Sequence, residues 1–378
     1  MNIGINCNPI MNKKAGVGNH IHNLLLELVK IDKINKYILF FYSLRHLYNT
    51  KSTQYNFKHK KTISLKIPLL FLDYFWDKLK FPPIEFFTGK LDIFHDNFYS
   101  PPMKSAKNII TIYDMSFFAY PEFHNKSTQR FKNKVPKSCY RSSKIITISN
   151  FSKREILKYI DIPEEKIEVI YCGVVLQKQK LDLREDDILK KYSLAKEYIL
   201  YVGTIEPRKN LEGLIKAYKL LLSDDKYKNK YNLVIVGKLG WKYETFFKAL
   251  GNSGLQDKVK LLGYIPDEEL PAIYKHASLF VYPSIYEGFG LPVLEAMAYG
   301  IPVVTSNISS LPEVAGDAAL LINPYNYKEI RDGIADILST EQLKSQLIAR
   351  GKERVKRFSW TKTAEKTLEI YKEVYNDV

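Results

Sequence analysis

Short apolar runs alternate with stretches of helical periodicity along nearly the whole chain. The runs are continuous and rich in β-branched residues, which is typical of strands that are buried on both faces. In the first half they are Met1–Cys7, Tyr37–Tyr42, Asp92–His95, Asn108–Tyr113, Lys144–Ile148 and Lys166–Ile170. In the second half they are Tyr198–Val202, Asn232–Val236, Val259–Leu262, Leu279–Tyr282, Pro302–Thr305 and Ala319–Ile322. Strands separated by helices predict parallel βαβ units.

Two sets of six strands predict two doubly wound, Rossmann-like domains with parallel sheets. A chain of 378 residues is long enough for two separate cores. The apolar pattern lapses from Leu176 to Ile188, so we place the domain boundary there. We predict an N-terminal domain over residues 1–178 and a C-terminal domain over residues 186–358. Residues 359–378 have helical periodicity, and we expect this last helix to pack back toward the N-terminal domain.

A Gly-Phe-Gly turn between an apolar run and a helix is the most informative local feature. The surrounding segment, residues 282–298, reads YPSIYEGFGLPVLEAMA, and its helix begins near Leu291. Such a turn leaves backbone N–H groups at a helix N-terminus, where they bind anions. Glu287 and Glu295 flank the turn, and carboxylates beside an anion site are suited to accept hydrogen bonds from sugar or ribose hydroxyls. A solvated loop glutamate and a helix-surface glutamate produce the same spacing.

A second candidate anion site follows the first apolar run of the second half. Residues 201–211 read YVGTIEPRKNL, which places Arg208 and Lys209 in the connection between a strand and a helix. Two cations in such a loop can neutralise a diphosphate and assist its departure. An exposed Arg-Lys pair alone is more often merely solvated.

The two segments together resemble the motif block of the family-4 glycosyltransferases, in which seven residues separate two glutamates. Glu287 and Glu295 have this spacing, and the intervening Gly-Phe-Gly-Leu-Pro-Val-Leu is close to the family's usual sequence. The resemblance runs nearly from end to end and is strongest from Tyr201 to Pro324. It implies a GT-B fold, in which two Rossmann-like domains face a central cleft. It also implies that the N-terminal domain holds the acceptor and the C-terminal domain holds a nucleotide-sugar donor.

The resemblance implies a role for each residue that matches the family motif. Glu295 matches the glutamate that binds the donor ribose, and Glu287 matches the one beside the transferred sugar. Arg208 and Lys209 match the pair that holds the donor phosphates. Backbone groups of the glycine turn contact the sugar and the diphosphate, a glycine loop after the first strand faces the phosphates, and a loop before a helix meets the nucleotide base. The further donor-binding candidates are Gly16, Gly18, Gly203, Lys238, Tyr264, Ile265, Gly288, Phe289, Gly290 and Leu291.

The chain departs from the family near the end of one strand. Many family members have a histidine where this chain has Tyr113. A tyrosine can donate a hydrogen bond to a sugar hydroxyl, but it cannot act as a base or carry positive charge near neutral pH. Asp114 is an equal candidate for this position. The candidate catalytic residues are therefore Glu287, Arg208, Lys209, Tyr113 and Asp114.

The resemblance implies that sugar transfer retains the anomeric configuration. Retaining glycosidases use two convergent carboxylates, whereas Glu287 is the single strong carboxylate candidate near the transferred group. We therefore expect front-face transfer, in which the diphosphate leaves on the side that the acceptor attacks. No Asp-X-Asp metal motif is evident in the sequence. We expect a metal-independent enzyme without a cofactor, in which Arg208, Lys209 and a helix N-terminus neutralise the diphosphate.

Positive charge is concentrated in the first half of the chain. Residues 1–175 contain 27 Lys and Arg and 14 Asp and Glu, a net charge of +13 within a total of +16. Basic residues with helical spacing form a candidate stripe that Pro136 interrupts: Arg130, Lys134, Lys137, Arg141 and Lys144. Such a half favours an anionic partner, which is a lipid surface, a nucleic acid or a phosphorylated acceptor. Among these we expect an anionic membrane surface. The aromatic residues within 69–87 are expected either in the core or at the acceptor entrance.

Other features favour a cytoplasmic location, with peripheral association at the inner face of the membrane. Cys7, Cys139 and Cys172 are scattered, which indicates neither a disulfide framework nor a structural zinc site. The N-terminus reads as a strand rather than a signal peptide, and no apolar run approaches the ~20 residues of a membrane span.

Three alternative functions remain open. A nucleotide-sugar epimerase of GT-B shape is one, although it would lack the two-glutamate turn with this filling. A nucleic-acid-binding protein is suggested by the net charge of +16, but no RNP-like motif or interleaving of aromatic and basic residues supports it, so we predict no nucleic-acid partner. A non-catalytic sugar-binding protein is suggested by Tyr113.

The donor and acceptor are predicted only by class. The motif block most resembles that of mannosyltransferases, which favours GDP-mannose over a UDP-hexose. We expect a saccharide or lipid-linked saccharide as the acceptor, in glycan or polysaccharide biosynthesis. The sequence does not indicate the linkage or the oligomeric state.

Overall fold

The computed structural model of the chain describes residues 1–11, 16–43, 55–175 and 185–377. These residues form two compact units. The first unit comprises residues 1–118, 126–173 and 359–378, and the second comprises residues 119–125 and 174–358. Most of the predicted boundary region, residues 176–184, lies outside the described part of the chain.

Each unit contains one sheet, and all of its paired strands are parallel. The first sheet contains β1 (Asn2–Asn6), β2 (Lys36–Tyr42), β3 (Lys60–Leu65), β4 (Ile93–Asn97), β5 (Lys107–Ile112), β6 (Lys144–Thr147) and β7 (Ile167–Val169). The second sheet contains β8 (Tyr198–Val202), β9 (Leu233–Val236), β10 (Val259–Gly263), β11 (Ala277–Tyr282), β12 (Val303–Ser306) and β13 (Leu320–Ile322). The predicted fold class of two doubly wound parallel-sheet domains is confirmed.

The order of the strands defines a switch point in each sheet. The order is β3-β2-β1-β4-β5-β6-β7 in the first sheet and β10-β9-β8-β11-β12-β13 in the second. In both sheets the chain builds outward in one direction and then returns to the middle. The direction therefore reverses between β1 and β4 and between β8 and β11. Doubly wound sheets bind ligands at the carboxyl ends of the strands at such a point.

All twelve predicted strands are present, with ends that differ by up to two residues. The sequence did not reveal β3, which reads KKTISL. Among the strands that the structure describes, β3 lies at the edge of the first sheet and pairs with β2 alone. Most of its side chains are only half-buried, so β3 needs no continuous apolar run and gives a weak sequence signal.

The α-helices differ widely in length. They are α1 (Asn8–Met11), α2 (Gly16–Ile31), α3 (Leu69–Tyr74), α4 (Glu85–Thr88), α5 (Ser116–Ala119), α6 (Lys126–Gln129), α7 (Phe131–Arg141), α8 (Asn150–Tyr159), α9 (Glu185–Lys191), α10 (Leu211–Leu221), α11 (Glu244–Ser253), α12 (Leu270–Lys275), α13 (Leu291–Ala298), α14 (Leu311–Ala315), α15 (Tyr327–Ser339), α16 (Glu341–Val355) and α17 (Trp360–Asn376). A π-helical turn, Phe75–Leu79, continues α3. Within the described ranges, no helix is both long and apolar enough to cross a membrane.

The C-terminal helix belongs to the first unit. Ala364, Ile370, Tyr371 and Val374 of α17 are buried in the hydrophobic cluster that also contains side chains of β1 and α2. One ring nitrogen of His95 on β4 lies 2.7 Å from the Tyr371 hydroxyl. Helix α17 is therefore part of the core of the first unit.

A short stretch of the N-terminal sequence, residues 119–125, packs with the second unit, whereas we predicted one uninterrupted N-terminal domain. The Trp241 indole N–H donates a hydrogen bond to the Phe123 carbonyl at 2.5 Å. The Tyr120 ring meets the Tyr286 ring edge-on, with 5.7 Å between centroids. These partners are distant in sequence, so no local pattern predicts the contacts.

Candidate active site

Two loops meet where the strand order of the second sheet reverses. One follows β8 and the other follows β11, and these strands are neighbours in the sheet. The Ile285 N–H donates a hydrogen bond to the Arg208 carbonyl at 2.8 Å. Asn210 caps α10, and its side-chain amide donates to the Pro283 carbonyl at 3.2 Å. The two loops are therefore held together by their backbones before any charged side chain is considered.

A buried network of four charged side chains lies between these loops. Glu287 is 6% exposed, and its Oε2 lies 2.9 Å from Arg208 Nη1 while its Oε1 accepts a hydrogen bond from Lys209 Nζ. Arg208 Nε lies 2.7 Å from Oε1 of Glu206. Lys209 Nζ also donates to the Tyr282 hydroxyl at 2.6 Å. Two carboxylates thus offset two cations, and the predicted residues Glu287, Arg208 and Lys209 are in contact.

The two cations decide the charge of Glu287. Burial raises the pKa of this carboxyl, but Lys209 and Arg208 lower it by more than burial raises it, to about 2. Burial and the neighbouring Arg208 guanidinium lower the pKa of Lys209, and Glu287 opposes that change. Glu287 is therefore an anion at neutral pH, and it is fixed in place rather than free to rotate.

Glu287 is expected to stabilise the fold near neutral pH and to lose this effect in acid. Its pKa of about 2 in the folded protein lies below the ordinary value of 4.5. A lowered pKa contributes stability above the unfolded value, and this stability is lost as the pH falls from there toward the folded value. We expect the difference in unfolding free energy between wild type and Glu287→Gln to shrink by on the order of 1–3 kcal/mol between neutral pH and about pH 3. Urea unfolding at both pH values measures it, and an unchanged difference would contradict the lowered pKa.

The Gly-Phe-Gly turn leads directly into α13. Gly290 has a φ of 118°, a left-handed conformation that favours glycine. A Cβ at this position would also lie 2.7 Å from Leu311 Cδ2. The N-cap residue Gly290 has no side chain that could cap α13, and the first N–H groups of a helix have no partner within the helix. A glycine turn at the start of a helix is the geometry that the predicted anion site requires, and the site itself stays a prediction.

Serines that follow β12 brace the turn from behind. The Ser310 hydroxyl lies 2.9 Å from the Glu287 carbonyl and 2.7 Å from the Phe289 carbonyl. The Glu287 N–H donates to the Ser309 hydroxyl at 3.0 Å. The Ser310 hydroxyl therefore interacts with two carbonyl groups of the turn. Together with the bond from the Glu287 N–H to Ser309, this fixes the backbone conformation around Glu287.

Glu295 lies one turn into α13, as predicted, and is held by a tyrosine. The Tyr274 hydroxyl donates to Glu295 Oε2 at 2.9 Å. Burial raises the pKa of Glu295, and Asp267 raises it further, whereas the hydrogen bond from Tyr274 lowers it. Among the described residues, Glu295 Oε1 has no hydrogen-bond partner, so one oxygen of an oriented carboxylate remains available to a ligand hydroxyl.

The glycines after β8 and β9 allow a close approach of two backbones. Gly237 has a φ of 146°, and a Cβ there would lie 1.9 Å from the Gly203 carbonyl oxygen. The next residue, Lys238, is exposed, and its carbonyl accepts a hydrogen bond from the Ile205 N–H at 3.0 Å. Gly203 therefore shapes the loop that leads to the Arg-Lys pair, while the side chain of Lys238 lies in solvent.

The remaining candidates of the second unit follow β10. Tyr264 is 51% exposed and Ile265 is 3% exposed. Only Tyr264 presents its side chain to solvent, whereas that of Ile265 is part of the core.

The candidates of the first unit lie at the carboxyl ends of β1 and β5. Gly16 and Gly18 occupy the first turn of α2, and a Cβ on Gly18 would lie 2.7 Å from the Pro9 carbonyl oxygen. Tyr113 is buried, and its hydroxyl donates to Asn97 Oδ1 at 2.7 Å. The Asp114 carboxylate accepts hydrogen bonds from the N–H and the hydroxyl of Ser116, at 3.0 and 2.7 Å. Both side chains thus have structural partners within their own unit.

Several residues of the site were not found from the sequence. Glu206 adds the second anion of the network, Ser310 braces the turn, and Tyr274 holds Glu295. Glu206 follows β8, which borders the switch point, and Ser310 follows β12, which is next to β11 in the sheet. Their positions after these strands are the sequence signal that could have identified them. Tyr274 lies on α12, which reads LPAIYK. Nothing in this short apolar sequence distinguishes Tyr274 from an ordinary buried tyrosine.

Solved structures share the fold of this chain. It resembles sucrose-phosphate synthase from Thermosynechococcus elongatus with a TM-score of 0.79, 19% identity and complete coverage of both chains. It resembles WaaG, a glycosyltransferase involved in lipopolysaccharide biosynthesis, with a TM-score of 0.71 and 14% identity, over 98% of this chain and 99% of that one. The two parallel-sheet units therefore have the GT-B fold of glycosyltransferases.

Sequence comparison places the chain within one family of this class. Residues 185–354 match the family described as Glycosyl transferases group 1, and residues 15–178 match Glycosyltransferase Family 4. The O-antigen chain mannosyltransferase B of Escherichia coli is 38% identical over 286 residues, which are 74% of each chain. The O-antigen chain mannosyltransferase RfbU of Salmonella typhimurium is 35% identical over 230 residues, 60% of each chain. The chain belongs to the family-4 glycosyltransferases, which confirms the resemblance seen in its motifs.

Proposed function

We propose that this glycosyltransferase is a retaining, metal-independent enzyme that transfers mannose from GDP-mannose to a saccharide or lipid-linked saccharide. The observation that carries the proposal is the fixed contact of Glu287 with Arg208 and Lys209 beside the uncapped start of α13. The relatives named mannosyltransferases favour mannose over other hexoses. A UDP-hexose is the second candidate donor.

The donor fits the second unit in a defined orientation. In this proposal Glu295 Oε1 accepts a hydrogen bond from a ribose hydroxyl, since Oε2 is already bonded to Tyr274. The diphosphate lies at the N-terminus of α13, where backbone N–H groups and the helix dipole attract it. Glu287 lies at the transferred sugar and accepts hydrogen bonds from its hydroxyls.

The reaction proceeds on the front face of the sugar. The bond between the anomeric carbon and the diphosphate oxygen breaks, and the acceptor oxygen forms a bond on the same face. The acceptor proton passes to a phosphate oxygen of the leaving group. Arg208, Lys209 and the helix N-terminus stabilise the charge that develops on the diphosphate, so the protein contributes positioning and electrostatics rather than a nucleophile.

A nucleotide panel with Glu295→Ala tests the donor site. A ligand that binds only the folded protein stabilises it by about 2.7 kcal/mol at a hundred times its Kd. We expect GDP to raise the melting temperature more than UDP, ADP or CMP, and we expect Glu295→Ala to lose this shift. Glu244→Ala, on an exposed carboxylate of α11 in the same unit, is the matched control and should keep it.

The outcomes of the panel separate the parts of the proposal. A shift with UDP alone would retain the enzyme class and replace the donor. A shift that Glu295→Ala preserves would contradict the ribose contact. No shift with any nucleotide at saturation would contradict the donor site itself.

We also propose that the basic first half of the chain binds the inner face of the membrane, where the acceptor lies. Its net charge of +13 over residues 1–175 supports this part of the proposal. The three cysteines are buried and unpaired, which suits a reducing cytoplasm.

A further inference from the structure

The helical segment of residues 69–79 carries both buried and exposed apolar side chains. Leu72 and Trp76 are buried against side chains of β2 and β4 in one hydrophobic cluster. Phe71, Tyr74 and Leu79 are 55%, 59% and 57% exposed. A helix of a globular protein buries one apolar stripe against its core, whereas these three side chains remain largely in contact with solvent.

Two further exposed aromatic side chains follow the helical segment in the sequence. Phe81 is 59% exposed and Phe86 is 71% exposed. The Trp76 indole N–H donates to the Pro82 carbonyl at 3.1 Å, which fixes the loop that carries Phe81 against the helical segment. We call the exposed residues Phe71, Tyr74, Leu79, Phe81 and Phe86 the aromatic patch. Exposed apolar side chains concentrated in so short a segment mark a binding surface rather than ordinary surface variation.

Cations from α7 lie beside the aromatic patch. Lys134 pairs with Asp77 of the π-helical turn at 3.2 Å. Partial burial and the Arg141 guanidinium lower the pKa of Lys80, and Lys137 contributes in the same direction against an opposing effect of Asp77. The contact of Lys134 with Asp77 brings α7 against the π-helical turn, and Lys137 and Arg141 on α7 are exposed, as is Lys80 after the turn.

The predicted basic stripe is shorter in the structure than in the sequence. Helix α7 continues through Pro136 from Phe131 to Arg141. Arg130 precedes the helix, and Lys144 lies on β6, where it pairs with Glu373 at 2.7 Å. Of the stripe residues on α7, Lys137 and Arg141 are exposed, whereas Lys134 pairs with Asp77.

We propose that the aromatic patch and the cations Lys80, Lys137 and Arg141 bind an anionic lipid surface. Apolar side chains on one face of a helix enter the boundary between headgroups and acyl chains, while flanking cations contact anionic headgroups. The proposal deepens the membrane contact of the proposed function by naming its surface. It does not depend on the identity of the donor.

The chemistry of the surface favours lipid over the other possible occupants. A second copy of the chain would bring an identical set of cations against this one, which is repulsive. Nucleic acid is bound by aromatic side chains on which bases stack along a basic groove, whereas Leu79 and the Phe side chains project from a helix and its following turns. The Glu85 carboxylate accepts backbone N–H groups of Lys104 and Ser105, so it does not compete with the anionic headgroups.

Vesicle flotation of the full chain tests the proposal. We expect binding to vesicles of phosphatidylglycerol and phosphatidylcholine and little binding to phosphatidylcholine alone. Phe81→Ser/Phe86→Ser and Lys137→Glu/Arg141→Glu should each weaken binding by at least about tenfold. The matched controls Ile34→Ser and Lys33→Glu/Lys36→Glu replace exposed residues of the same unit outside the patch and should bind like wild type.

Each result either supports or overturns the proposal that this surface binds lipid. Equal binding by the patch variants and the controls would overturn it, as would a dimer that Phe81→Ser/Phe86→Ser dissociates without any effect on vesicles. Stronger binding to an oligonucleotide than to anionic vesicles would favour nucleic acid instead. Leu79→Ser replaces the Phe double variant if that variant melts below wild type. The nucleotide-induced melting shift should be the same in all patch variants, so failure of the donor site and failure of the lipid surface are distinguishable.

Discussion

Replacing Glu287 with glutamine is expected to lower kcat for sugar transfer by about 10²–10³-fold. The substitution preserves the size of the side chain but removes the charge that holds Arg208 and Lys209. In the proposed reaction these cations stabilise the leaving diphosphate, and a cation that is out of position loses most of that effect. Release of nucleoside diphosphate at increasing donor concentration measures kcat and KM separately.

Glu244→Gln is the matched control for this substitution. Glu244 is exposed in the first turn of α11, in the same unit, and its replacement should leave kcat unchanged. The proposed role of Glu287 would be wrong if Glu287→Gln kept more than about a tenth of the wild-type kcat, a loss of less than 1.4 kcal/mol in transition-state stabilisation. A rise in KM at constant kcat would indicate that Glu287 only binds the donor.

The sequence predicted the parts of the fold that depend on local patterns. Buried parallel strands require continuous apolar runs, and all twelve such runs form strands. The edge strand β3 was missed because its half-buried residues need no such run. The contact of Glu287 with Arg208 and Lys209 was predicted only as a shared site, because a resemblance assigns residues to a ligand and does not show that they touch each other.

The parts of the site that could not be predicted depend on contacts between distant segments. Tyr274 reaches Glu295 from another helix, and nothing in the sequence around either residue indicates the pair. The same holds for residues 119–125, whose contacts include Trp241 and Tyr286. These contacts join segments that are far apart in the sequence, so only the folded chain shows them.

The charge network explains how a carboxylate can lie beside a diphosphate site. Glu206 and Glu287 offset Arg208 and Lys209, so the network is neutral without a ligand. Buried charges are tolerated when they are paired and hydrogen-bonded. In the proposed reaction the diphosphate adds negative charge near the start of α13, and the two cations are already in place to meet it.

Removing either Lys209 or Glu287 alone is therefore expected to lower the free energy of unfolding more than removing both together. Lys209→Met leaves an excess negative charge in a buried network, and Glu287→Gln leaves an excess positive charge. Removing one partner of a buried ion pair costs about 3–5 kcal/mol, whereas replacing both is often nearly neutral. We expect the double variant Lys209→Met/Glu287→Gln to unfold within about 2 kcal/mol of wild type.

Activity should not recover with stability in the double variant. The double variant lacks both Lys209, the cation that stabilises the diphosphate, and the carboxylate of Glu287, which orients that cation. We therefore expect kcat to stay at least about a hundredfold below wild type. Urea unfolding and kcat measured on wild type, both single variants and the double variant separate the two roles. Lys248→Met/Glu244→Gln, an exposed pair on α11, is the matched control and should change neither quantity. Recovery of kcat together with stability would show that the pair acts only in folding, and additive losses of stability would contradict the coupled network.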